Sequence, residues 1–252
     1  MLSLLRSSLF KKLRQKYPVG DVGTKNAKNR KEWIIKQIKD LPEGLKLLDA
    51  GAGEQWLRTY CNHLEYIAQD FAQYDGKGDG RALQMDTWDQ TGLDIISDIT
   101  DLPIDDNSFD AVTCFEVLEH VPDPVKAIDE LDRIIRPGGT LLITAPFNSL
   151  THFAPYHYCT GFNIYFYEYH LNRLGYTLDI AQESGNYFKM MAQELRRLSM
   201  VTNKYARTST NSYLKLAIHI LLHFLGEWSK VDSGSQELQC YEWMIKAKKD
   251  IK

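Results

Sequence analysis

The sequence predicts a doubly wound α/β fold, and three observations predict it. Short apolar runs alternate with stretches of helical period from residue 45 onward, and units of that size build parallel sheets with helices on both faces. Thr140–Ala145 is a nearly continuous apolar run, the pattern of a strand covered on both sides. The first strand runs straight into a glycine turn at the sheet edge where such folds bind ligands. Length and composition agree: 252 residues with 44% hydrophobic and 25% charged side chains bury a core without disulfide or metal staples, which excludes wholesale disorder.

Taken in order, Leu2, Leu5, Leu9 and Leu13 recur at helical spacing among basic residues and predict a short amphipathic helix. It packs on the body, with a membrane-surface contact as the alternative. It lacks a continuous apolar core and a small-residue cleavage site, so it is not read as a signal peptide. Pro18–Gly23 is a loop, and Lys28–Lys39 carries Trp33, Ile34 and Ile38 on one helical face. Leu45–Asp49 and Tyr66–Asp70 are strands, with a helix expected over Gln55–His63 between them. A polar loop from Tyr74 to Thr91 leads to strands at Leu93–Ile96 and Phe109–Cys114. Asp123 and Pro124 suit the N-cap and first turn of a helix whose apolar face is Val125, Ile128, Leu131, Ile134 and Ile135. Arg136-Pro-Gly-Gly139 turns that helix into Thr140–Ala145. Residues 147–170 are crowded with His, Tyr and Phe, poor core but a good pocket cover. A helix at Asn163–Leu174, a strand at Tyr176–Ile180, helices near 188–203 and 211–226, and a last strand near Leu238–Lys246 complete the chain.

Charge narrows the function. Residues 1–40 carry eleven Lys/Arg against three Asp/Glu, whereas residues 41–132 carry five against twenty-one. A body that acidic repels a phosphate backbone, so nucleic acid is not an expected partner, and a cationic or neutral small molecule is. No stretch reaches the length of a membrane span: Tyr213–Trp228 is interrupted by Lys215, His219, His223 and Glu227. The four cysteines are scattered without a CxxC pair and read as reduced thiols of a cytoplasmic protein. His219 and His223 lie four residues apart but have no acidic partner and sit in an apolar helix. That helix reads as core or a homodimer face, and no metal site is assigned.

The chemistry concentrates after the strands. In Leu47-Leu-Asp-Ala-Gly-Ala-Gly-Glu54, Gly51 and Gly53 allow a tight turn and close approach of a ligand to backbone. Asp49 either orients a cationic group or holds the loop. Trp56 stands where a dinucleotide fingerprint has its third glycine, which counts against a nicotinamide cofactor. Asp70 closes the second strand, placed to bind both hydroxyls of a ribose, and Asp98-Ile99 closes the third, placed to meet an adenine.

With Phe109-Asp-Ala-Val-Thr-Cys-Phe-Glu-Val-Leu-Glu-His120 and Arg136-Pro-Gly-Gly139 added, the chain resembles the class I S-adenosylmethionine-dependent methyltransferases. The matching motifs are DAGAG (49–53), Asp70, SDITDLPIDDNSFD (97–110), EVLEHVPDP (116–124) and RPGGTLLITAP (136–146), spread over about residues 44–183. The resemblance implies a seven-stranded αβα sandwich with an antiparallel last strand and S-adenosylmethionine as cofactor. It places Asp49, Ala50, Gly51 and Gly53 along the methionine moiety, Asp70 and Phe71 at the ribose, Asp98 and Ile99 at the adenine, and Phe115 and Glu116 at the cofactor's border. The domain plan is a basic extension over 1–43, a cofactor-binding core over 44–183, and completing helices and strand over 184–252. His152-Phe-Ala-Pro-Tyr-His-Tyr158 bears a looser likeness to methyltransferases of bacterial surface-polysaccharide and secondary-metabolite pathways.

The expected reaction is methyl transfer to a hydroxyl oxygen of a small molecule or sugar. A hydroxyl acceptor must lose a proton, and His157, His120 and His152 are the candidate bases at neutral pH. Tyr156 and Tyr158 are read as substrate walls. Two alternatives stand beside this reading: a peripheral-membrane enzyme with a lipid-linked acceptor, and a catalytically silent cofactor-binding scaffold.

Overall fold

The computed structural model describes residues 2–251, with side chains described over 8–251. The sheet grows from β1 (Lys46–Ala50), where Leu47 and Leu48 are both wholly buried because alternate side chains enter opposite faces. Leu47 joins Trp33, Ile34 and Ile38 of α2 (Asn26–Lys39), together with Ala111 and Leu142. Leu48 joins Val112, Leu141 and Ile143 against Ile128 and Leu131 of α3 (Pro124–Ile134) and Tyr167 and Leu171 of α4 (Ile164–Arg173). Helices therefore cover both faces, as the continuous apolar strands require.

The remaining strands are β2 (Glu65–Asp70), β3 (Ile95–Ile96), β4 (Phe109–Phe115), β5 (Ile135–Pro146), β6 (Tyr176–Ser184) and β7 (Glu242–Lys249). Their order is β3-β2-β1-β4-β5-β7-β6. The strands from β3 to β5 pair in parallel, and β7 runs antiparallel to both β5 and β6. The fold class and the antiparallel last strand are as the sequence predicts. Chain order reverses between β1 and β4, which makes the crevice beyond their carboxyl ends the ligand-binding switch point.

Some boundaries move, each for a local reason. The helix expected over Gln55–His63 is a single short turn, Trp56–Tyr60, because the chain enters it through Gln55 at φ 56°, a left-handed conformation outside the helix. At β3 only two residues pair, because the Asp94 carboxylate takes the Ala68 N–H at 2.9 Å in place of a strand carbonyl. The last strand starts at Glu242, after a tight turn over Ser235–Glu237 that leaves Leu238 exposed. The cap at α3 is as predicted: Asp123 Oδ1 accepts from Lys126 N–H at 3.0 Å, and Pro124 follows.

The chain divides into two compact units. Residues 30–184 and 242–252 form the sheet unit just described. The second, residues 1–29 and 185–241, is helical: α1 (Leu2–Lys16), α5 (Tyr187–Val201) and α6 (Ser212–Lys230). Ala192, Leu222 and Leu225 form its small core. Of the apolar stripe expected on α1, Leu2 and Leu5 lie outside the described side chains, and Leu9 is exposed. His219 and His223 meet the backbone carbonyls of Tyr17 and Pro18, each at 2.8 Å. Among the described residues no helix is long and apolar enough to cross a membrane.

Candidate functional site

Beyond the carboxyl ends of β1, β2, β3 and β4 lies a cavity of about 460 Å³, a size within the range of small-molecule sites. Gly51, Gly53, Asp70, Phe71, Asp98, Ile99 and Glu116, all read from the sequence as cofactor contacts, line it. The two glycines form a cradle that side chains would fill. Gly51 sits at φ +77°, and a Cβ there would come within 2.3 Å of Val117; at Gly53, φ +51°, it would meet the Trp88 ring at 2.7 Å.

The loop is held by carboxylate and amide groups beneath it. Asp70 Oδ2 accepts from Gly53 N–H at 2.9 Å, while Oδ1 accepts from Ala72 N–H at 3.0 Å and from Gln90 Nε2 at 3.1 Å. Gln69 accepts from Gly51 N–H through Oε1 at 3.3 Å and donates to Ser97 O at 2.7 Å, tying β1's turn to the end of β3. Asp98 Oδ1 accepts from the Thr100 N–H and hydroxyl.

Asp49, Ala50 and Phe115 lie outside the cavity lining. Asp49 is buried, and its carboxylate accepts from the Tyr66 hydroxyl at 2.6 Å and the Thr113 hydroxyl at 2.8 Å. Burial pushes its pKa up against those hydrogen bonds. It therefore braces β1 between β2 and β4.

Glu116 stands at φ 58° at the end of β4. It accepts from the Thr144 hydroxyl at 3.1 Å and pairs with Arg30 of α2 at 2.7 Å. Arg30 also pairs, at 3.0 Å, with Glu242, which is wholly buried. Burial opposes the Arg30 charge, but Glu116 and Glu242 outweigh it and hold the guanidinium ionised. Burial, and then the Glu116 charge, push Glu242 up to about 8.

The wall of the cavity is built of rings. Phe71 meets Tyr156 edge-on at 5.0 Å, Tyr74 stacks on Phe153 at 4.3 Å, and Phe153 stacks on His120 at 5.0 Å. Tyr156 and Tyr158 both line the cavity. The wall is pinned to the loop over 74–91: Phe153 N–H donates to Leu83 O at 2.9 Å, and Asp79 N–H to Ala154 O at 3.0 Å.

The three candidate bases come together, although only His120 lines the cavity. The ring centroids of His152 lie 4.7 Å from His120 and 4.8 Å from His157. His120 Nδ1 is 2.5 Å from Tyr156 O. Burial, and then His152, hold His120 down to about 3, and the same causes lower His157, so both rings are neutral at pH 7. Behind them Glu119 is wholly buried, and burial followed by the Glu116 charge raises its pKa well above the carboxylate range.

Sequence reasoning missed Arg30, Trp88, Gln90, Phe153 and Glu119. Glu119 had a signal, standing next to His120 within a motif already singled out. Trp88 had one too, as a large ring in an otherwise polar loop. Arg30 and Gln90 had none, because a polar side chain on a charged helix or loop reads as solvated.

Comparison with known proteins finds likeness in sequence and in fold. A family model described as "Methyltransferase domain" matches residues 48–143, from β1 into β5. A demethylmenaquinone methyltransferase of Paenarthrobacter aurescens is 32% identical over 141 residues, covering 54% of this chain and 53% of that protein. A ubiquinone biosynthesis O-methyltransferase of Xanthomonas oryzae pv. oryzae is 46% identical over 108 residues, 40% of this chain and 43% of that one. The matches thus span about half the length of these curated relatives or less. Among solved structures, the [4+2]-cyclase SpnF superposes with a TM-score of 0.53 at 17% identity, covering 89% of this chain and 81% of that one, a likeness of fold.

Proposed function

We propose that the chain is a class I S-adenosylmethionine-dependent methyltransferase, a reading supported by its likeness to the methyltransferase domain model and to curated methyltransferases, and that it moves the cofactor's methyl group to a hydroxyl oxygen of a small molecule or sugar. The observation that carries this is the convergence of the two-glycine cradle, Asp70, Asp98 and Glu116 on one cavity at the switch point. This donor set fits the cofactor: backbone for the methionine end, carboxylates for hydroxyls and amino groups, and an acidic lining for a sulfonium.

Asp70 already accepts three hydrogen bonds, and a carboxylate has room for about four. A ribose diol takes the free site and displaces the Gln90 amide from Oδ1. Phe71, Ile99 and Val117 supply apolar contact around it. The reaction is an in-line displacement on an activated methyl group, so alignment of the acceptor against the rings of Tyr156 and Tyr158 supplies much of the rate, about 7 kcal/mol or more. The acceptor proton leaves toward the imidazoles beside that wall, with His157 first, then His120 and His152.

A second reading shares the chemistry and differs in the acceptor. Leu214, Leu221, Phe224 and Trp228 are exposed on α6, and Lys11, Lys12, Arg14 and Lys16 lie on α1 of the same unit. Apolar rings with a basic helix suit an anionic membrane surface and a lipid-linked acceptor. Sedimentation with anionic vesicles, with and without residues 1–17, separates the two readings. Loss of binding on deletion supports the membrane reading, and no binding by either form removes it. The acceptor itself is tested by product analysis with hydroxylated and amine acceptor panels: methyl ethers support the proposal, and only N-methyl or C-methyl products refute it.

A further inference from the structure

We propose that His120, His152 and His157 form a three-imidazole site for one zinc-class divalent cation beside the cofactor cavity. One ring nitrogen from each lies within 4.8 Å of the others. Zinc–imidazole bonds of ~2.0–2.1 Å put tetrahedral ligand atoms roughly 3.4 Å apart. Side-chain rotation in three incompletely buried rings closes that difference.

Two independent observations point to a ligand there. Both ring nitrogens of His157 are buried and have no hydrogen-bond partner among the described residues. A buried polar group left so costs about 1–3 kcal/mol, which a bound ion offsets. The other two rings are oriented as metal ligands are. His120 Nδ1 faces Tyr156 O at 2.5 Å and His152 Nδ1 faces Leu150 O at 2.9 Å. A carbonyl only accepts, so Nδ1 carries the proton in both rings and Nε2 keeps its lone pair, the arrangement that backbone carbonyls impose on ligating histidines. The wholly buried Glu119 carboxyl, kept protonated by its burial, lies with Oε1 3.8 Å from His120 Nε2 and adds no charge to the site.

The donor set selects the ion. Imidazole nitrogens suit zinc, cobalt, nickel or copper, whereas magnesium and calcium want oxygen. Three protein ligands leave a fourth position open, the mark of a catalytic rather than a structural site. His120 also lines the cavity, so the open position borders the space given above to the acceptor. An ion there polarises an acceptor oxygen and takes over from the imidazoles the task of making its proton leave. That consequence rests on the methyl-transfer reading; the metal site does not.

The test uses the full chain with any affinity tag removed, stripped with a chelator and titrated with Co²⁺, then with Zn²⁺ in competition. One equivalent of Co²⁺ with the visible bands of a four- or five-coordinate site is expected, with displacement by Zn²⁺. His152→Ala and His157→Ala should each weaken binding at least about tenfold, while His219→Ala leaves it unchanged. His157→Gln, which keeps the side-chain volume, should behave as His157→Ala does, and circular dichroism checks that each variant folds. Absence of bands, or equal affinity in the wild type and both His152 and His157 variants, overturns the site. Titration with S-adenosylmethionine on the same samples reports separately on the methyl-transfer reading. Metal binding without cofactor binding sinks that reading and keeps the site; cofactor binding without metal does the reverse.

Discussion

The floor of the cavity and its wall are made differently. The floor is backbone: Gly51 and Gly53 at positive φ, with their N–H groups held by Gln69 and Asp70. The wall is side chains: Phe71, Phe153, Tyr156 and the histidines, joined by ring contacts that reach across 85 residues from Phe71 to Tyr156 and across 33 from His120 to Phe153. A floor fixed by backbone geometry binds one shape of ligand, whereas a wall of rings adapts to different acceptors by substitution. Floor variants should therefore lose the cofactor, and wall variants should lose turnover.

The largest effect belongs to Gly51→Ala. The left-handed backbone costs about 1–2 kcal/mol with a Cβ, and the contact with Val117 at 2.3 Å adds to it. Cofactor affinity should fall roughly 100-fold or more, measured by calorimetry; an affinity within threefold of wild type breaks the floor account. Next comes Asp70→Ala, which leaves the Gly53 and Ala72 N–H groups without their acceptor at about 1–3 kcal/mol each. It should lower cofactor affinity roughly 10- to 100-fold, and unchanged affinity refutes the assignment. On the wall, His157→Ala should slow turnover by roughly 10²-fold and leave cofactor affinity within about twofold. Full activity in that variant would move the proton step to another group.

The smallest effect tests what lies behind both regions. Glu242 is pushed up to about 8 when folded, from an ordinary 4.5. Between those values the folded state holds a proton that the unfolded chain releases. Its contribution is thus fully present below pH 4.5 and is lost as pH rises toward 8, at about 1 kcal/mol per pH unit where steepest. Arg30 keeps Glu116 at 2.7 Å, so Glu242→Gln should flatten that slope without unfolding the protein. Denaturant melts at several pH values show it, and an unaltered slope contradicts the burial argument.

The same contrast explains what was legible in the sequence. The sheet could be read because paired residues such as Leu47 and Leu48 must both be apolar when helices cover both faces. The floor could be read because few residues other than glycine tolerate φ +77° at Gly51, so the requirement is written into the chain. Asp49 was legible as important but not in its role, since hydroxyl partners on two other strands set it. The histidines were legible one at a time; spacings of 32 and 5 residues match no metal motif, and only the fold brings them together. Arg30 left no trace, because its two acidic partners lie 86 and 212 residues away.

The central claim is that the cavity at the switch point between β1 and β4 holds S-adenosylmethionine. Isothermal titration of the purified chain with S-adenosylmethionine and S-adenosylhomocysteine, with NADH as control, tests it most directly. The account predicts one-site binding of the first two at about micromolar Kd, roughly 8 kcal/mol, and none of NADH. Binding of NADH alone, or of none of the three, would contradict it.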